Sequence, residues 1–81
     1  MTKEKILNDL STIFKDLFYY EEDLTLETTP KDVDNWDSLS NIRLFITVEQ
    51  TYSIRFERFE IGEIESVGAL IDFILKKLEK A

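Results

Sequence analysis

Between Ile6 and Phe18 the apolar residues Ile6, Leu7, Leu10, Ile13, Phe14, Leu17 and Phe18 recur at steps of three and four. At 100° per residue this spacing puts them on one stripe of an α-helix, with Thr2 available as the cap. No comparable run alternates strictly between apolar and polar residues, and the chain holds only two glycines and one proline in 81 residues. A mainly helical fold follows. The first helix is expected to end near Tyr19 or Tyr20, where Glu21, Glu22 and Asp23 open a polar run unsuited to a helix C-terminus.

Three further helical segments are legible. One begins at Asp37 or Ser38, both good N-cap residues, and runs to about Tyr52. A short turn of helix spans about Phe59 to Glu65. Ser66 then caps a last helix whose buried stripe is Val67, Leu70, Ile71, Ile74 and Leu78, with Lys76, Lys77 and Lys80 near the end where the macrodipole favours cations. The second helix has an unusual pattern: Leu44, Phe45, Val48 and Tyr52 fall on one side, while Leu39, Ile42 and Ile46 fall on nearly the opposite side. One stripe faces the core. The other either lies open or is covered by the connection before it.

That connection, residues 21 to 37, carries Leu24, Leu26, Val33 and Trp36 as scattered apolar anchors and Thr28-Thr29-Pro30 as a turn signal. Seven acidic residues against Lys31 alone give it a charge of −6, nearly the whole formal charge of −7. A connection of this length in a small domain either carries function or merely spans the ends of two antiparallel helices.

Composition then narrows the chemistry. Residues 1–81 suit one domain with a radius of gyration of about 12 Å, too small for a deep substrate cavity. The net charge opposes binding to nucleic-acid phosphates or anionic membranes and favours partners with basic patches. Cysteine and histidine are absent, so thiolate nucleophiles, thiolate metal ligands and Ser-His-Asp or Cys-His arrangements are excluded. The expectation is no enzyme and no catalytic residue. An EF-hand counted from Asp32 would need an oxygen ligand at Trp36, a glycine at Asp37 and a carboxylate at Arg43, so no calcium loop is expected. Asn8 and Asp9 interrupt the N-terminal apolar pair, and no stretch is long enough to cross a membrane. A cytoplasmic, monomeric protein is expected.

The most informative segment is Asn35-Trp36-Asp37-Ser38-Leu39. It sets a hydroxyl beside a carboxylate at a helix N-terminus, where free N–H groups and a partial positive charge suit an attached phosphate. The plainer reading is that Ser38 only caps the helix. This stretch and its surroundings resemble the acyl carrier protein family. Asp37-Ser38-Leu39 matches the attachment motif of that family, a long loop precedes it, an aliphatic helix follows, and Ser66-Val67-Gly68-Ala69-Leu70-Ile71-Asp72-Phe73-Ile74 is similar to the start of the family's last helix.

The resemblance implies an all-α antiparallel four-helix bundle, three longer helices and one short one. It also implies that a phosphopantetheinyl transferase attaches 4′-phosphopantetheine from coenzyme A to Ser38, with Asp37 in support. The terminal thiol of the arm would then hold acyl groups as thioesters, loaded by a ligase or transferase and used by downstream acyl-processing enzymes. Leu39, Ile42, Arg43, Ile46 and Gln50 would form the partner surface. Two departures from the family pattern stand out. Asn35 occupies a place where glycine is common, and is expected to accept positive φ. The second helix carries Ser40, Arg43 and Gln50, with Glu49 its one acid between Leu39 and Tyr52. These features point to a carrier in a specialised pathway (polyketide, nonribosomal peptide, lipid or polysaccharide modification) rather than housekeeping fatty-acid synthesis. The rival reading is an unmodified acidic helical interaction module.

Overall fold

The computed structural model describes residues 2–80, the side chain of Lys80 lying outside the described residues. Among these it contains four helices and no strand: α1 (Lys3–Phe18), α2 (Ser38–Tyr52), α3 (Arg58–Glu63) and α4 (Val67–Lys80). The all-helical bundle read from sequence is therefore the observed one, with a Cα radius of gyration of 11.6 Å.

Helix α1 starts where its cap dictates. The Thr2 hydroxyl accepts a hydrogen bond from the Lys5 N–H at 3.2 Å. It ends at Phe18 because Tyr19 turns into the left-handed region at φ 56° and closes the last turn through its N–H to the Lys15 carbonyl. Ile6, Leu10, Phe14 and Phe18 are buried and Leu7, Ile13 and Leu17 pack partly against them, so the stripe spreads over the core and its margin. Two contacts fix the direction of α2 against α1. The Asn35 Nδ2 just before α2 donates to the Phe18 carbonyl at 2.9 Å, and the Tyr52 hydroxyl at the end of α2 donates to Asp9 Oδ2 at 2.8 Å. The helices are antiparallel. Lys5, then Tyr52, hold the Asp9 carboxyl below its ordinary pKa, while burial and Asp9 push the Tyr52 phenol up.

The 21–37 connection is built from hydrogen-bonded turns. Thr28, buried, accepts the Thr25 N–H on its hydroxyl; Pro30 sits inside a turn closed by the Asp32 N–H on the Thr29 carbonyl at 2.9 Å, and Asp32 Oδ2 accepts the Thr29 N–H in return. Leu24, Val33 and Trp36 are buried as expected. Leu26 is not: its side chain is 41% exposed, and its backbone makes the attachment instead. The Gly68 N–H donates to the Leu26 carbonyl and the Val67 N–H to that of Thr28, both at 2.9 Å, so the connection satisfies the free donors at the start of α4. Ser66 caps the same helix through the Ala69 N–H.

Helix α3 closes the bundle and stops at Glu63, two residues short of the expected end, because Ile64 turns to extended backbone and buries its side chain. Glu60 on α3 receives Lys77 of α4 at 2.8 Å, and the same ammonium lies 5.3 Å from the centre of the Phe56 ring. Lys77 thus ties two helices together. Val67, Leu70, Ile71 and Ile74 are fully buried, with Leu78 at the margin.

A Cβ placed on Gly68 would meet the Leu26 carbonyl oxygen at 2.9 Å, a backbone atom that cannot swing aside. Gly68→Ala is expected to cost about 1–3 kcal/mol by forcing the connection off α4, read as a lower urea midpoint; an unchanged midpoint would show that the close approach is not required.

Candidate functional site

The start of α2 is held from three directions. Trp36 lies on the core side, its ring 5.1 Å from Phe14 edge-on and 5.9 Å from Phe18 nearly parallel, while Phe14 and Phe18 meet each other at 4.9 Å. Such arrangements suit the ring quadrupoles. The indole N–H, which needs an acceptor once buried, donates to Asn41 Oδ1 at 2.7 Å, one turn into α2. Asn35 fastens the preceding backbone to the end of α1. Positive φ occurs at Tyr19 and Ser53 among non-glycine residues, not at Asn35. The expectation for Asn35 is corrected: its amide serves as a hydrogen-bond donor across 17 residues, a job that glycine lacks the atoms to perform.

Asp37 is the N-cap. Its backbone is extended and its Oδ1 accepts both the Leu39 N–H at 3.1 Å and the Ser40 N–H at 2.9 Å, while its carbonyl accepts the Asn41 N–H at 2.8 Å. The Ser40 backbone N–H, then the Ser40 hydroxyl and the Leu39 N–H, hold the carboxyl below its ordinary pKa and keep it ionised. Ser38 is consequently the first residue of the helix rather than its cap. Its side chain is exposed and its hydroxyl has no hydrogen-bond partner among the described residues. The Asp37 carboxylate takes the N–H groups of Leu39 and Ser40 at this helix end. The partial positive charge of the helix end remains.

Beside Ser38 lies a shallow depression of about 200 Å³ lined by Pro30, Trp36, Asp37, Asn41 and Ile64. Its lining mixes apolar residues, Pro30, Trp36 and Ile64, with the polar Asp37 and Asn41. The exposed Ser38 hydroxyl lies at its rim. Asn41 and Ile64 were not singled out from sequence, and Pro30 only as part of a turn. The signal for Asn41 was the indole N–H five residues earlier, which requires an acceptor when its ring is buried.

Helix α2 sends Leu44, Phe45, Val48 and Tyr52 into the core and leaves Leu39, Ile42 and Ile46 at 75, 58 and 48% exposure, with Arg43 and Gln50 also exposed among them. The connection does not cover this stripe. Glu49 is turned to a structural task, its Oε2 accepting the Phe56 N–H at 2.8 Å. No group of three or more His, Cys, Asp or Glu side chains among the described residues is placed to hold a metal ion, the acidic connection included. No helix is long and apolar enough to cross a membrane.

The site thus presents an exposed hydroxyl at the start of α2 beside an exposed apolar helix face. No known family profile matches the chain. It is 33% identical over 79 residues to an acyl carrier protein of Coprothermobacter proteolyticus, an alignment that covers 96% of each chain. Among solved structures it is similar to the holo acyl carrier protein of Geobacter metallireducens (39% identity, TM-score 0.83, covering 91% of this chain and 86% of that one). It is also similar to the acyl carrier protein of Thermotoga maritima (30% identity, TM-score 0.86, 96% and 92%). The chain belongs to the acyl carrier protein family. Members are noncatalytic acyl-tethering carriers with a covalent 4′-phosphopantetheine.

The lowered Asp37 pKa has a pH consequence. Ionised Asp37 adds stability above the ordinary carboxylate value of 3.8, and that contribution is lost as the pH falls through the lower folded value. Asp37→Asn, which keeps a capping oxygen without the charge, is expected to lose less stability than the parent between pH 5 and about pH 2–3. Urea unfolding across that range checks it, and parallel curves would remove Asp37 from the acid response.

Proposed function

We propose that residues 1–81 form a single carrier domain in which Ser38 accepts 4′-phosphopantetheine from coenzyme A through a phosphopantetheinyl transferase. The observation that carries this is the exposed Ser38 hydroxyl, left without a structural role because Asp37 does the capping. When bound, the arm supplies the thiol that this cysteine-free chain lacks. Asp37 holds the first turn rigid and keeps a negative charge next to the hydroxyl. Trp36, Asn35 and Asn41 fix the position of that turn, so the attachment oxygen is presented at a constant place on the surface.

Leu39, Ile42, Arg43, Ile46 and Gln50 form the surface read by partner enzymes: the transferase, an acyl-loading ligase or transferase, and downstream acyl-processing enzymes. Exposed apolar residues grouped on one helix face support this. The carrier acts as a cytoplasmic monomer in a specialised pathway (polyketide, nonribosomal peptide, lipid or polysaccharide modification). Support comes from α2 itself, whose exposed stripe has Arg43 at its centre and whose acid, Glu49, is bound to the Phe56 N–H.

Intact mass before and after incubation with coenzyme A and a broadly acting phosphopantetheinyl transferase tests the reading. One phosphopantetheine is expected on the parent chain and none on Ser38→Ala, whose stability should stay within about 0.5 kcal/mol of the parent because no hydrogen bond is lost. No gain with a cognate transferase as well would overturn the carrier reading in favour of an unmodified interaction module.

A further inference from the structure

The three arginines of the chain, Arg43, Arg55 and Arg58, fall within sixteen consecutive residues, and every other cation is a lysine. All three are exposed. Lys3, Lys5 and Lys77 are engaged with Asp72, Asp9 and Glu60, whereas none of the arginines has an ion-pair partner among the described residues. The seven carboxylates of the 21–37 connection lie on the other side of Ser38 in sequence, and the two between Ser38 and Phe59 are Glu49, bound to the Phe56 N–H, and Glu57, the N-cap residue of α3.

Helical geometry places Arg43 within the outward stripe. Counting 100° per residue from Leu39, Ile46 and Gln50 fall within about 20° of it, Arg43 about 40° to one side and Ile42 about 60° to the other. The stripe continues past the end of α2, because Ile46 and Gln50 share an open depression of about 480 Å³ with Arg55, lined also by Glu49, whose carboxylate is held by the Phe56 N–H. An apolar strip thus runs from beside Ser38 down α2, with one unpaired guanidinium at its middle and a second at its far end.

We infer that this strip, on the reading that Ser38 is the attachment residue, docks partner surfaces whose apolar centre is flanked by carboxylates. Guanidinium groups fork onto carboxylates with two parallel hydrogen bonds, a geometry that ammonium cannot copy. A lysine- or arginine-lined groove is rejected here by like charge against Arg43, even though the chain as a whole is strongly acidic. The net charge of −7 draws basic surfaces towards the connection, and the arginines decide which surface seats on α2.

Two synthetic amphipathic helical peptides of one length and one Leu/Ile face, flanked by glutamates in one and lysines in the other, serve as probes against the full chain at about 0.15 M salt. Amide shifts along residues 39–55 report seating on the strip and exclude binding elsewhere. The glutamate peptide is expected to seat there at least about threefold more tightly than the lysine peptide. Arg43→Glu with Arg55→Glu should reverse that order. Tighter seating of the lysine peptide, an order unchanged in the double variant, or no shifts on the strip from either peptide would each overturn the inference. The mass gain on Ser38, measured on the same samples, separates the two readings. If the gain occurs without the peptide preference, only the docking inference falls; if it is absent, the carrier reading falls whatever the peptides do.

Discussion

The indole of Trp36 is the contact on which the site depends. Its ring is the third member of an aromatic cluster with Phe14 and Phe18, so the end of the acidic connection is bound to the core of α1. Its N–H reaches Asn41, so the first turn of α2 is bound to the same ring. With Asn35 fastened to the Phe18 carbonyl, three residues join the end of one helix to the start of the next. The position of Ser38 follows from this lock.

Division of labour between neighbours explains the rest of the site. Asp37 takes the capping bonds, Ser38 is released from them, and the two roles that sequence inspection offers for a Ser beside an Asp are separated by one residue of register. The consequence is chemical. A serine that caps has its oxygen occupied by backbone donors, whereas this oxygen is uncommitted. The same separation runs along α2, where one face fills the core and the opposite face stays open, and where Glu49 spends its carboxylate on the loop after the helix.

Most of the architecture was legible because it rests on local rules. The 3.6-residue period gave α1 and α4, the caps Thr2 and Ser66 marked their starts, and the two stripes of α2 were separable by angle alone. The Ser66-Val67-Gly68 segment was recognised as a pattern, but its reason lay elsewhere in the chain: the glycine is small because the Leu26 carbonyl stands 2.9 Å from where a Cβ would be. Leu26 was read as a buried anchor for want of that information. Asn35 was read as a turn former, when its amide in fact spans to α1.

Periodicity, capping and composition by themselves determined that the chain is mainly helical and lacks the side chains of cysteine and histidine chemistry, and that Asp37-Ser38-Leu39 opens a helix with one face to spare. These are properties of neighbours in sequence, fixed by backbone geometry and residue chemistry. Which residue caps, what holds the indole, where the connection meets α4 and which face of α2 stays bare were decided only in the tertiary structure. Each depends on atoms far apart in the chain competing for the same few donors, acceptors and volumes, and that competition has no signature in the local pattern.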